Sequence, residues 1–265
     1  MDFASTVVLG GFAGFTIFIG LPVARLQNLS PHVRAFLNAL AVGILVFLLY
    51  DVLGKASDPI HQAITDAHTQ NVGNLIVLVL LFALGLGVSL LGLVYFDRVV
   101  IRRVANETRT GEATPSQLAL MIAIGIGLHN FAEGLAIGQS ARAGAISLAT
   151  ILIVGFALHN ATEGFGVASP FTSGAGKRPS WRQLGLLGLI AGGPTFLGTI
   201  VGYSVYSTPV FVLSLALAAG SILYVVAELL NAGRKIGMRE LAMWGMFAGF
   251  IAAYLTDLIL TWGGS

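Results

Sequence analysis

The stretch Asn74–Tyr95 reads NLIVLVLLFALGLGVSLLGLVY and contains no charged residue. A helix needs about 20 apolar residues to cross the hydrocarbon core of a bilayer, so this stretch is long enough to span a membrane. Seven further stretches have similar length and character, and each is bounded by charge, proline or a polar cluster. The predicted fold class is an all-α, polytopic integral membrane protein with eight transmembrane helices, at approximately 3–23, 33–53, 74–95, 117–139, 146–169, 184–205, 210–230 and 241–262.

The composition supports this class. Of the 265 residues, 56% are hydrophobic and 10% are charged, whereas soluble domains carry roughly 25% charged residues. The chain has no cysteine, which excludes a disulfide framework, a Cys-ligated zinc or iron–sulfur site, and thiol catalysis. The first stretch lacks a basic n-region and a small-residue cleavage site, so we interpret it as a retained helix. We expect a single transmembrane domain over residues 1–265.

The basic residues predict the orientation in the membrane. Twelve of the 14 Lys and Arg residues fall in the first, third, fifth and seventh loops, and only Lys55 and Arg142 fall on the other side. Because cytoplasmic loops carry the excess of Lys and Arg, we expect the odd-numbered loops in the cytoplasm and both termini outside a cell (inner) membrane. The basic residues form topology markers that contact lipid headgroups rather than a patch for nucleic acid.

A repeated string places ionisable residues inside two of the predicted helices. Span four reads LHNFAEGLAIG over residues 128–138, and span five reads LHNATEGFGVA over residues 158–168. At about 100° per residue, the histidine, asparagine and glutamate of each His-Asn-x-x-Glu-Gly string share one helical stripe, with the glutamate between the other two. Ionisable residues are costly inside a membrane and mark function by default.

Imidazole and carboxylate groups without thiolates suit divalent ions such as Zn²⁺, Fe²⁺, Co²⁺ and Mn²⁺. The short connection between spans four and five makes the two helices antiparallel neighbours. The strings can then meet and supply four ligands: His129, Glu133, His159 and Glu163. Buried polar residues that only hydrogen-bond between helices are the alternative, and the duplication favours a metal site.

The repeated string resembles the span-four and span-five signatures of the ZIP (Zrt-, Irt-like protein) family of divalent metal transporters. Span three, with LLGLVYFDR ending at Arg98, and span seven, with YVVAELL ending at Leu230, are also similar to that family's pattern. The resemblance implies eight spans, both termini outside, and transport of a divalent metal into the cytoplasm. Zinc is the first expectation, with iron, manganese, cobalt and cadmium as further substrates. His129, Glu133, His159 and Glu163 match the primary metal site, and Asn130 and Asn160 match a second metal site.

Two departures from the family pattern weaken the second site. Span six of many ZIP proteins carries a glutamate just before a proline, and here Gly193 stands before Pro194. The fifth-span position that is often aspartate is Asn160. We therefore expect one well-occupied metal, and we expect Gly193→Glu to add an anionic ligand and strengthen binding on the asparagine side.

Other acidic residues are weaker candidates. Glu228 in span seven could guard the exit, shuttle protons, or pair with Arg234 or Lys235. Asp51, at the end of span two, could belong to the pathway. We interpret the residues after it as a solvated outer loop rather than a cation-gathering surface: Asp58, His61, Asp66 and His68. Asp257 in span eight receives no role.

Small residues four positions apart indicate close helix contacts, either inside the protomer or in a homodimer. The pairs are Gly10/Gly14, Gly134/Gly138, Gly198/Gly202 and Gly245/Gly249. No cofactor is expected beyond the transported metal. The sequence has no Gly-x-x-x-x-Gly-Lys-[Ser/Thr] string, so an ATP-driven pump is not expected.

An intramembrane metal-dependent hydrolase is the alternative function. Such an enzyme needs three metal ligands and a separate base. The chain has no His-Glu-x-x-His string and its two ligand sets are symmetric. The sequence therefore favours a transporter rather than an enzyme.

Overall fold

The computed structural model describes residues 1–26, 30–67, 72–96, 98–99, 114–142, 144, 146–173, 178–205 and 207–263. Within them the structure is helical and contains no strand. The helices are Phe3–Phe15 and Ile17–Gly20 (together span one), Pro31–Ala67 (span two), Val72–Phe96 (span three), Pro115–Arg142 (span four), Ile146–Ala168 (span five), Trp181–Ser204 (span six), Thr208–Ile236 (span seven) and Arg239–Gly263 (span eight).

The predicted all-α membrane fold is confirmed. Within the described residues, seven helical segments are long and apolar enough to cross a membrane. Span five, with 23 residues, supplies the eighth helix of membrane-spanning length. Span three shows why these surfaces need lipid, because Leu84, Val88 and Leu91 are between 59% and 66% exposed. A stripe of this kind would be costly in water and is favourable against acyl chains.

Span one is broken in its middle. The first helix ends at Phe15 and the second begins at Ile17, and a 3₁₀ turn over Leu21–Arg25 follows. The buried hydroxyl of Thr16 lies 2.7 Å from the carbonyl oxygen of Ala13 and 2.5 Å from that of Ala157 in span five. A side chain that bonds to such carbonyls bends a helix. The break thereby fixes span one against span five.

Span two is longer than predicted. We expected it to end near Leu53 and a solvated loop to follow, and this was wrong: the helix continues through Asp58 and His61 to Ala67. The extension has a buried face, because Ala63 packs with Leu78 of span three and Val212 of span seven. The side chain of Asp66 and the whole of His68 lie outside the described part of the chain.

The small-residue pairs pack within the protomer. A Cβ added at Gly134 of span four would run into the carbonyl oxygen of Thr195 in span six, and one at Gly198 would meet that of Phe131. Gly10 and Gly14 lie equally close to span six, and Gly245 and Gly249 lie close to span two. The sequence left open whether these pairs make contacts inside the protomer or in a homodimer. In the structure all four pairs make contacts between helices of one chain.

Candidate metal centre

Five polar side chains of the repeated strings are buried at the interface of spans four and five. His129, Asn130, Glu133, Asn160 and Glu163 are each at most 3% exposed. Burying a polar group costs free energy unless hydrogen bonds or opposite charge compensate it, and burying a charge costs more. The buried glutamates of this cluster therefore need hydrogen bonds or a positive charge nearby.

Glu133 is the residue that joins the two helices at this cluster. Its Oε1 atom lies 3.1 Å from Nε2 of His129, one turn earlier in span four. Its Oε2 atom accepts a hydrogen bond of 3.4 Å from Nδ2 of Asn160 in span five. The contact with His129 follows the stripe that the spacing of the string predicts. One carboxylate thus contacts an imidazole from its own helix and an amide from the other.

The two asparagines are oriented by backbone carbonyls of neighbouring helices. Nδ2 of Asn130 donates a hydrogen bond of 2.9 Å to the carbonyl oxygen of Ala191 in span six. Nδ2 of Asn160 donates one of 3.1 Å to that of Ala13 in span one. Within the described residues, the Oδ1 atom of each amide is buried and has no hydrogen-bond donor. Both amides therefore keep an acceptor oxygen that a cation can use.

Glu163 brings the second carboxylate to the same interior. It is 3% exposed, and it lies close enough to Asn130 and Glu133 to interact with both. Each glutamate therefore lies beside the asparagine of the other helix. Two carboxylates buried together repel each other unless positive charge lies between them, so this arrangement suits a cation.

The four predicted ligands are only partly visible in the structure. The side chain of His159 lies outside the described residues. Among the described side chains, no three His, Asp or Glu residues gather closely enough to hold one ion. The quartet of His129, Glu133, His159 and Glu163 therefore stays a prediction.

The position of Gly193 corrects one expectation. In span six it lies on the same helical stripe as Leu186, Leu189 and Leu197, each between 53% and 55% exposed. A Cβ added there would meet nothing within 4 Å. A glutamate at this position would point away from the buried cluster, so we now expect Gly193→Glu to leave metal binding unchanged.

Thr195 is a polar residue of span six whose side chain lies beside Gly14 of span one, and the sequence analysis missed it. It is fully buried one turn after Ala191, the residue whose carbonyl holds Asn130. Its hydroxyl has no hydrogen-bond partner within the described residues. The sequence signal was its spacing: Thr195 precedes Gly198 by three residues and so shares a helical face with the Gly198/Gly202 pair, whereas Gly193 lies on the opposite face.

The weaker acidic candidates lie outside this cluster. Asp51 is paired with Lys55, its Oδ2 atom lying 2.6 Å from Nζ, and Asp257 lies close to both. Lys55 also lies over the ring of Phe156 in span five, 5.3 Å from the centroid. Glu228 is half-buried in span seven. The pathway roles of Asp51 and Glu228 stay predictions.

A charged interior buried among helices of membrane-spanning length defines a multi-pass membrane protein, in the class to which ion transporters belong. Residues 104–257 match the family model described as ZIP Zinc transporter. That match includes both His-Asn-x-x-Glu-Gly strings and covers more than half of the chain. The chain therefore belongs to the ZIP family.

Two curated proteins are similar to this chain. A protein named Zinc transporter ZupT from Clostridium perfringens (strain 13 / Type A) is 32% identical over 169 residues, which cover 60% of this chain and 58% of that protein. Another Zinc transporter ZupT, from Chlorobium chlorochromatii (strain CaD3), is 26% identical over 268 residues, which cover 94% of this chain and 95% of that protein. The family consists of transporters, so the chain is a transporter and the hydrolase alternative is set aside.

Proposed function

We propose that this protein moves divalent transition-metal cations, zinc foremost, across the membrane into the cytoplasm through the buried cluster of spans four and five. The observation that carries the proposal is the position of Glu133, whose two carboxylate oxygens contact His129 and Asn160 in the interior. His129, Glu133, His159 and Glu163 would serve as the ligands of the passing ion.

The ligand chemistry suits transient binding. Imidazole and carboxylate groups replace part of the hydration shell of a borderline divalent ion. Conduction requires binding that is strong enough for entry and weak enough for release. A site at the interface of two repeats is where alternating-access transporters hold their substrate. Movement then follows the metal gradient or that of a coupled ion.

The second metal position is expected to be weak. Asn130 and Asn160 offer neutral amide oxygens, and their Nδ2 groups are engaged by Ala191 and Ala13. A neutral oxygen attracts a divalent ion less than a carboxylate does. We therefore propose one well-occupied ion, with the asparagines as an accessory position.

Asn160→Asp is expected to make folding stability depend on metal. The variant loses the amide that donates to the Ala13 carbonyl and to Glu133. In its place, a carboxylate of residue 160 lies against the Ala13 carbonyl oxygen and the Glu133 carboxylate. Without metal, we expect a loss of stability of about 1–3 kcal/mol, because a buried hydrogen-bonded partner is left unsatisfied. Zinc should restore the melting temperature and raise the bound metal per chain above the wild-type value.

Thermal unfolding in detergent with and without zinc, together with metal analysis, checks this prediction. Asn74→Asp, with the same change near the start of span three and away from the cluster, is the control. Equal melting temperatures for Asn160→Asp with and without zinc would contradict the accessory position.

The proposed direction rests on the orientation of the helices. Because the chain has no native cysteine, a single introduced cysteine reports the side of the membrane without background. We expect Ala4→Cys, at the exposed start of span one, to react with an impermeant maleimide in intact cells. Asn231→Cys, exposed near the end of span seven, should react only after the cells are permeabilised. The opposite labelling pattern would reverse the orientation that the basic loops predict.

Uptake of a metal panel into proteoliposomes tests the proposed activity. Wild-type protein should load vesicles with zinc, and cadmium, iron, manganese and cobalt should compete to different degrees. Protein-free vesicles and vesicles with heat-denatured protein are the controls. Vesicles that load no metal above these controls would contradict the proposed function.

A further inference from the structure

A cavity lies at the end of the bundle where span seven meets span eight, away from the buried cluster. Its volume is about 490 Å³, within the range of roughly 300–1,000 Å³ that is typical of small-molecule sites. Spans two, seven and eight all line it, and it includes the connection at Gly237. The Asn38 amide, in its wall, donates a hydrogen bond of 3.1 Å to the carbonyl of Leu229 and joins spans two and seven there.

The walls of this cavity are apolar and adaptable. Three methionines of the span-eight side, Met238, Met243 and Met246, face Val42 of span two and Leu230 of span seven. Methionine side chains are unbranched and flexible, so they fit irregular apolar ligands. A wall of this kind is suited to a hydrocarbon chain.

The polar part of the cavity is positively charged. Arg234 lies in the last turn of span seven and Arg239 is the first residue of span eight. Both arginines line the cavity and are exposed. Gly237 adopts φ +79° between them, a left-handed conformation that glycine allows and that turns the chain. In the part of the chain that the structure describes, neither arginine forms an ion pair. Guanidinium groups pair with phosphate through two parallel hydrogen bonds.

The surroundings of the cavity indicate a lipid rather than a water-soluble anion. Met243 lines it and is 53% exposed, and the neighbouring Trp244 and Phe247 of span eight are 67% and 58% exposed. Exposed apolar side chains on a membrane-spanning helix are suited to contact with lipid, so the cavity has an apolar flank on one side and a basic one on the other. Basic pockets between membrane helices bind the headgroups of acidic lipids.

We propose that the cavity between spans two, seven and eight is a binding site for an anionic phospholipid. The phosphate lies between Arg234 and Arg239, and an acyl chain lies along the methionines. A lipid held there links three helices at one end of the bundle. This inference does not depend on the transported ion or on the ligands of spans four and five.

Native mass spectrometry of the delipidated full chain tests the proposal. Phosphatidylglycerol and phosphatidylcholine with identical acyl chains are added in equal amounts. We expect the wild type to retain phosphatidylglycerol about tenfold more strongly than phosphatidylcholine. Arg234→Gln/Arg239→Gln should lose most of this preference, whereas Arg178→Gln/Arg182→Gln, which removes two exposed arginines before and within span six, should keep it.

A second variant separates the cavity from the general charge of the protein. Ala242→Phe adds bulk to the cavity wall without changing charge, and it should reduce retention of phosphatidylglycerol several-fold. Wild-type protein with no preference for phosphatidylglycerol overturns the proposal whatever the variants do. Equal losses in the two arginine pairs, full retention in Ala242→Phe, or displacement of the lipid by inorganic phosphate at equal concentration would each overturn it as well.

Discussion

Replacement of Glu133 by glutamine is expected to abolish zinc uptake while the protein remains folded. Glutamine has the same shape and keeps one acceptor oxygen, but it removes the negative charge that contacts His129 and Asn160. Removing one partner of a buried charged pair costs about 3–5 kcal/mol, which corresponds to roughly a 100- to 4,000-fold effect on binding of the ion. Initial rates of zinc uptake into proteoliposomes measure this loss.

The control for this experiment removes a carboxylate at a distance from the site. Glu240→Gln changes an exposed residue in the first turn of span eight, and it should transport at nearly the wild-type rate. Melting temperatures of both variants show that the fold is intact. A folded Glu133→Gln protein that transports at the wild-type rate would remove Glu133 from the mechanism.

Replacement of Gly198 by leucine is expected to prevent normal assembly of the bundle. A Cβ added at this position would lie 3.0 Å from the backbone nitrogen of Leu135 and would clash with the carbonyl of Phe131. These are backbone atoms of span four and cannot move aside as a flexible side chain would. Overpacking costs about 1–3 kcal/mol where side chains can adjust, and a backbone clash should exceed that range. Spans four and six would separate, and with them Asn130 and Ala191.

The comparison variant is Gly185→Leu, which makes the same change in the same helix. A Cβ there meets nothing within 4 Å, and leucine has a better helix propensity than glycine. We expect Gly198→Leu to elute mainly as aggregate in size-exclusion chromatography, and Gly185→Leu to elute like the wild type. Equal melting temperatures for the two variants would contradict the close contact of spans four and six.

The fold class could be predicted from the sequence because a membrane-spanning helix is recognised from the length and apolar character of one continuous segment. Each apolar run must satisfy its backbone polar groups as a helix, so its length alone predicts a span. The end of span two could not be predicted this way, because the segment that contains Asp58 and His61 is as polar as a solvated loop. Its helical extension depends on the packing of Ala63 against Leu78 and Val212, which is a tertiary contact.

Some contacts of the polar cluster could be predicted from the sequence and others could not. The repeat spacing placed His129 and Glu133 on one stripe, and the structure has their side chains in contact. The backbone carbonyls of Ala13 and Ala191, which orient the asparagines, carry no signal in the sequence. The orientation of span six was the other unpredictable element. In that helix Gly192 faces inward against span one and the Gly198/Gly202 pair against span four, and this turns Gly193 outward and Thr195 inward.

The proposed path of the metal through the membrane lies between spans four and five. The most direct test is zinc entry into proteoliposomes that contain a fluorescent zinc indicator, with the wild type and Glu133→Gln/Glu163→Gln reconstituted at equal density. We predict rapid zinc entry with the wild type and entry at the protein-free rate with the double variant. Equal entry with both proteins would contradict this proposal, because the ion would then cross by a path that needs neither carboxylate.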